Sequence, residues 1–309
     1  MNEAEVIRAL ETLNARTIEL RTSAVYAAGT RKKNLDRLLA DKSLAGLRRI
    51  IKEFQTFRRF SKAPRHPELP NLTPEEWEAS LRPGSGDKRV VVYSCIVGNY
   101  DKPLPPIYQA PNLSYVLVTD STEPVEGWEV WPLPEAAVRQ GNKTAANRYV
   151  KFHPHELFAD SYDASVYIDG NIQPISDLSY YVDQIDPAAG IGLHYHRVRD
   201  SIADEVIACK ALGKGDPAKM DAQVARYASE GYPLEFGILE CNVIACDLAS
   251  DLSCAIFADW WDEYERAGSG RDQLALPYVL WKHGVALDAA ATMGRNAYSD
   301  TKIHIASHV

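Results

Sequence analysis

Ala164-Ser-Val-Tyr-Ile-Asp-Gly-Asn-Ile172 is a short apolar run that stops at a carboxylate, a glycine and an amide. A β-branched and aromatic run with little polar alternation is the pattern of a strand covered on both faces, as in the parallel sheet of an α/β domain. Two upstream runs share it: Arg89-Val-Val-Val-Tyr-Ser-Cys-Ile-Val-Gly98 and Leu113-Ser-Tyr-Val-Leu-Val-Thr-Asp120. All three end in polar residues, namely Gly98-Asn99-Tyr100-Asp101, Asp120 and Asp169-Gly170-Asn171. Ligands of open α/β sheets lie beyond the carboxyl ends of the strands, so these ends are expected to line one site. Helices are predicted at 142–160, 198–212, 219–230, 251–267 and 272–283.

The first third of the chain reads differently. Val6, Leu10, Leu13, Thr17, Leu20 and Ala24 step by three and four, one face of a helix. A second one-sided stretch runs from Leu35 to Phe57 with basic residues opposite. Residues 31–65 hold twelve Lys or Arg against three acids, nine positive charges net, in a chain whose formal net charge is −8. The remaining residues therefore carry −17. Such asymmetry predicts that this segment meets an anionic surface, a polyanion or the acidic rest of its own chain. Pro64, Pro67, Pro70, Pro83, Gly84 and Gly86 break both periodicities. The expected organisation is a basic helical hairpin or coiled coil at 1–65, a Pro/Gly-rich linker at 66–87, and one large α/β domain at 88–309.

Composition narrows the class. With 46% hydrophobic and 25% charged residues the chain is an ordinary globular one. Its start is charged and amphipathic, unlike a signal peptide, and no apolar run is long enough to span a bilayer. A cytoplasmic protein is expected, peripheral to the inner membrane surface if the basic helices bind it. Five cysteines without a CxxC spacing predict buried thiols in place of a disulfide or zinc framework. No nucleic-acid motif accompanies the basic segment, and none is expected to bind.

Several residues carry candidate chemistry. Asp169 and Asn171 are expected to share a side and to hold a divalent ion, although such a D-x-N also suits a plain β-turn. Arg148 and Lys151, at i and i+3 of a helix, can neutralise a diphosphate or simply face solvent. In an extended segment His194 and His196 share a face, where they would serve a metal or an acceptor, or form ordinary hydrogen bonds. Glu240 interrupts an apolar run, which asks for an Arg partner or a ligand role. Asp272, beside Arg271 and Gln273, opens a helix and can cap it or act as base toward a hydroxyl. Trp260-Trp261 reads as core.

The ordered blocks VVYSCIVGNYDKPLPP, YVLVTD, GWEVW, NRYVKFHPHELF, SVYIDGNI, HYHRVRDSI, QVARYASEGYP, LECNVI and GRDQLALPYVLWKHG resemble one family over residues 88 to 285. It is a glycosyltransferase-like family, once a domain of unknown function, that includes plant proteins of seed-mucilage synthesis and a member described as an alkaline ceramidase. The resemblance implies a GT-A-like fold and transfer of a sugar from a nucleotide-sugar donor to a glycan, lipid-linked or polymer acceptor in cell-surface polysaccharide synthesis. It places Asp169 at the first acid of the D-x-D element that binds metal, manganese or magnesium, with Asn171 replacing the second. The implied donor residues are Tyr100, Asp101, Asp120, Arg148, Lys151, Asp169, Asn171, Arg271 and Gln273; Asp272, His194, His196 and Glu240 would face the acceptor. Residues 1–65 would anchor to a membrane surface or self-associate. The alternatives are an inactive binding or scaffold module and a lipid amide hydrolase, for which no G-x-S-x-G or H-E-x-x-H motif is present.

Overall fold

Strand β1 (Val90–Ile96) is buried along its whole length, and it pairs in parallel with β2 (Leu113–Thr119) on one side and β4 (Ala164–Ile168) on the other. In the computed structural model, which describes residues 2–25, 28–29, 32, 43, 48, 70–81, 83–233 and 235–306, these are three of six strands in one sheet. The others are β3 (Glu129–Pro132), β6 (Ile191–Tyr195) and β7 (Leu239–Asp247), giving the order β3-β2-β1-β4-β7-β6. Only β7 runs against the rest, since it is antiparallel to both β4 and β6. The order reverses beside β1: the chain moves outward to β2 and β3 and then returns to β4. A small two-stranded sheet joins β5 (Ile172–Pro174) to β8 (Ile303–Ile305).

The apolar character of β1 is explained by the two cores it serves. Val91, Tyr93 and Cys95 face a core on one side of the sheet, and Val90, Val92 and Ile96 face another on the opposite side. Helices cover the first: α3 (Lys143–Phe152), α4 (Pro154–Phe158), α5 (Ile202–Leu212), α6 (Pro217–Ser229), α7 (Asp251–Ala267) and α8 (Leu276–Lys282) supply about half of its remaining residues. Trp260 of α7 is fully buried there, its ring 4.5 Å from that of Phe152. The helix predicted at 142–160 divides at His153 because Pro154 lacks the N–H that continuation would use, yet suits the first position of α4. The predicted helix at 272 opens as a 3-10 turn, Asp272–Leu274, before α8. Four cysteines are buried thiols, and Cys254 is exposed.

The second core takes in the amino-terminal helix α1 (Glu3–Thr22), whose Asn2 and Glu5 form a capping box. Its buried face is Ile7, Glu11 and Asn14, whereas Leu13 and Leu20 of the expected apolar face are 64% and 67% exposed. Tertiary pairing overrides periodicity here. Lys302 Nζ reaches Glu11 Oε1 at 2.5 Å, and Asn14 Nδ2 donates to the carbonyls of Thr301 and Ile303. Burial raises the Glu11 carboxyl above its ordinary value although Lys302 opposes it. The second predicted helix, at 35–57, lies outside the described residues. Within the Pro/Gly-rich stretch a short helix, α2 (Pro74–Ser80), forms behind the Thr73–Glu76 capping box, a signal legible in the sequence as T-x-x-E. Among the described residues no helix is long and apolar enough to cross a membrane.

Candidate functional site

Where β1 and β4 separate, the sheet leaves a crevice at their carboxyl ends, and a cavity of about 830 Å3 opens there. The end of β1, the turn after β4 and the loop after β6 reach it; β7, running backwards, brings its first residues to the same edge. Three of the buried polar atoms without a hydrogen-bond partner belong to its lining: Arg148 Nε, Asn242 Oδ1 and Arg271 Nε. Native interiors satisfy most such groups, so their convergence marks a polar ligand site.

The exit of β1 is fixed by backbone geometry. Gly98 and Asn99 take left-handed conformations, φ 68° and 56°, and the Gly98 N–H donates to both carboxylate oxygens of Asp120 at 2.8 and 3.0 Å. Asp120 thus shapes this loop and does not line the cavity, while Tyr100 and Asp101 do. The Lys143 side chain lies across Gly98, where a Cβ would stand 2.0 Å from its Nζ. Gly170 is required for a similar reason at the exit of β4, since a Cβ there would meet Ile96 Cγ1 at 2.8 Å.

Asp169 and Asn171 part company. Asp169 lines the cavity and accepts a hydrogen bond from the Tyr167 hydroxyl at 3.0 Å. The Ile172 N–H closes a turn on the Asp169 carbonyl, which ends the strand alternation that would have put both residues on one side. Asn171 is stapled instead to the C-terminal segment: its Nδ2 donates to the Ala306 carbonyl at 2.7 Å, and its own carbonyl accepts the Ala306 N–H. The expected metal pair therefore does not fit a shared ion. Among the described residues no group of three or more His, Cys, Asp or Glu is placed to hold one.

Lys151 and Arg148 are also committed. Lys151 Nζ donates to Asp272 Oδ2 at 2.5 Å and to the Cys241 carbonyl at 2.6 Å, and Arg148 Nε lies 3.5 Å from the same carboxylate. Burial alone would raise Asp272, but the fields of Arg148, Lys151 and Arg271 overcome it and hold the carboxyl far below the usual range. A carboxylate so held is a weak proton acceptor, which turns the expected base into a fixed negative charge. Its backbone carbonyl accepts the Trp260 Nε1–H, anchoring the 3-10 turn to the core.

A second carboxylate in the cavity is pushed the other way. Glu240 lies 3.5 Å from His196 Nε2 and 3.5 Å from Gln273 Nε2, with no lysine or arginine paired to it among the described residues. Burial, with the nearby Glu205 charge adding to it, pushes Glu240 up to about 7. Glu205 itself is neutralised by Arg199 at 2.8 Å and Arg271 at 3.2 Å. Burial, with Arg199 nearby, lowers His196 to about 4, so its imidazole is neutral. His194 is elsewhere: it is fully buried, bonded to Asp300 Oδ2 at 2.7 Å, and outside the cavity lining. The end of β6 at Tyr195 separates the two histidines.

Sequence reasoning missed Lys143, Lys214, Glu205, Arg199 and the contact of Arg197 with the Tyr298 ring, 3.8 Å from its centroid, all at this cavity. The basic pair flanking Val198, next to the quoted His196, was the available signal. A serine–histidine contact does occur, His155 Nε2 to Ser253 Oγ at 2.9 Å, but Ser253 is fully buried and its hydroxyl donates to the Asp247 carbonyl. It has no access to a substrate.

Fold and cavity together define an α/β ligand-binding domain with its site at the topological switch of the sheet. The chain belongs to the TOD1/MUCI70 glycosyltransferase-like domain family, whose model matches residues 84–304. The mixed, mostly parallel sheet flanked by helices is the architecture that this resemblance implied. No curated protein matches the chain. Among solved structures it is similar to apo mouse xyloside xylosyltransferase 1, at 11% identity and a TM-score of 0.41 over 71% of this chain and 97% of that one. It is also similar to the apo WbbM bifunctional glycosyltransferase, at 15% identity and a TM-score of 0.40 over 64% of this chain and 38% of that one. The galactosyltransferase LgtC, in complex with donor and acceptor sugar analogs, matches at 12% identity and a TM-score of 0.36, over 62% and 70% of the two chains.

Proposed function

We propose that the cavity binds a nucleotide sugar and that the chain transfers the sugar to a hydroxyl of a glycan, lipid-linked or polymer acceptor, in the building of a cell-surface polysaccharide. The observation that carries this reading is the charge of the cavity: seven lysines and arginines line it against five acids, two positive charges in excess, at the crevice between β1 and β4. A nucleoside diphosphate group brings about two negative charges and would be held by that excess. Tyr100 and Asp101, on the loop after β1, line the cavity and would take the nucleoside.

Two carboxylates whose environments drive them apart divide the chemistry. Asp272 stays ionised and fixes Arg148 and Lys151 behind the reacting centre. Glu240 is the group suited to accept the proton of the acceptor hydroxyl as its oxygen bonds to the anomeric carbon. The bond from that carbon to the phosphate oxygen breaks, and its electron pair leaves with the diphosphate. Residues 31–65, by their charge, would hold the enzyme near an anionic surface.

The test is thermal stabilisation of the full chain by nucleoside diphosphates and nucleotide sugars, followed by detection of released diphosphate. A ligand at a hundredfold its Kd should add about 2.7 kcal/mol. Glu240→Gln should keep that stabilisation and lose turnover by roughly 10²–10⁴-fold. Stabilisation by no nucleotide sugar or diphosphate would overturn the reading.

A further inference from the structure

Two lysines at the cavity have no carboxylate to answer them. Lys143, at the first turn of α3, lies across Gly98, and Lys214 follows α5 beside the Gly215–Arg271 contact. Among the described residues neither ammonium is paired with an acid, although Asp272 and Glu205 in the same cavity each have at least two cations. Arg148 adds a buried guanidinium that lies 3.5 Å from Asp272 through its Nε and lines the same cavity. Burial disfavours its charge, but Asp272 and Asp169 both favour it and hold its pKa above the ordinary value, so Asp169 already has a fixed cation nearby.

A divalent ion would enter these surroundings at a disadvantage. Asn171, expected as its second ligand, spends its amide on Ala306, and Asp169 already takes the Tyr167 hydroxyl. Another carboxylate, Asp101, lies across Gly170, its Cβ 3.4 Å from where a Gly170 Cβ would stand. Two further positive charges would add to a cavity that is already positive by two and would face Arg148 across Asp169. The diphosphate, by contrast, matches the existing excess without help.

Resting on the donor reading above, we infer that the diphosphate of the donor is balanced by the chain's own cations, Lys143 and Lys214 with Arg148, so that a nucleoside diphosphate binds this protein without a divalent ion. A flexible ammonium suits such a point-charge role. Both lysines are exposed, so removing either leaves the fold intact.

The experiment is calorimetric titration of the full chain with UDP, GDP and inorganic pyrophosphate, in EDTA and in manganese. The expected result is equal affinity in both, reduced about tenfold by Lys143→Ala and by Lys214→Ala and about a hundredfold by the pair. Binding that requires manganese and is lost in Asp101→Asn and Asp169→Asn would overturn the inference and leave the donor reading standing. Metal-free binding indifferent to both lysines would overturn their assignment. Binding of none of the probes under either condition would remove the inference together with the donor reading.

Discussion

Two buried lysine–carboxylate pairs sit at opposite ends of the molecule's chemistry. Lys302 meets Glu11 where α1 crosses the C-terminal segment, and Lys151 meets Asp272 at the wall of the cavity. The distances are the same, 2.5 Å, and both lysines are 2% exposed. Their carboxyls nevertheless move in opposite directions. Glu11 is raised, because burial outweighs a single lysine, and its Oε2 has no partner. Asp272 is lowered, because Arg148, Lys151 and Arg271 together outweigh its burial. The number of cations, more than the length of the shortest contact, decides whether a buried acid stays ionised. One pair is a seam between elements; the other is a permanent charge presented to a ligand.

The sharpest way to break this contrast is to remove the carboxylate from the crowded side. Asp272→Asn leaves three cations facing one another in the interior and should cost about 3–5 kcal/mol of stability in urea unfolding. A loss below about 1 kcal/mol would mean that the cage is slack. Glu240 supplies the limiting case, a buried carboxyl with no lysine or arginine paired to it among the described residues, on which Arg197 and Arg199 act too weakly to offset burial. Its carboxyl binds a proton more tightly folded, at about 7, than at its ordinary value of 4.5. Between those two pH values the unfolded chain releases a proton that the folded one keeps, so stability falls as pH rises through this window. Above pH 7 the deficit is complete, on the order of 3 kcal/mol. Glu240→Gln removes it: the variant should be more stable than the parent by that order at pH 8 and equal to it at pH 4. The same gain at both values would show that the carboxyl is not raised. The smallest effect belongs to the seam. Glu11→Met with Lys302→Met should leave stability within about 1 kcal/mol of the parent, because apolar side chains of similar length replace a buried pair at little cost. A loss as large as that of Asp272→Asn would erase the distinction between the regions.

Much of the fold was legible because β1, β2 and β4 are continuous apolar runs that end in polar residues, and their ends do reach the crevice or shape it. The four-residue β3 is half exposed, and β5 and β8 have three residues each, too short for any period to register. In α1 the helix was readable and its buried face was not, since a face that buries Glu11 and Asn14 takes its sense from residues 301–303. The site divides in the same way. Asp169 and Glu240 were visible as polar breaks in apolar runs, and Arg148 and Lys151 as an i, i+3 pair on a helix. Their roles were not, because each depends on a partner distant in sequence: Lys151 on Asp272, 121 positions away, and Asn171 on Ala306, 135 positions away. Asn171 was misread for a local reason, the turn that replaces strand alternation after Asp169.

The Glu11–Lys302 contact joins residues 291 positions apart. A ribosome adding about 5–20 residues per second makes the lysine roughly 15 to 60 s after the glutamate. Through that interval α1 can form its own turns but has no partner for Glu11 and no carbonyls of Thr301 and Ile303 for Asn14. A helix made before the sheet is thus among the last of the described elements to dock, and for it the order of synthesis and the order of assembly run in opposite directions.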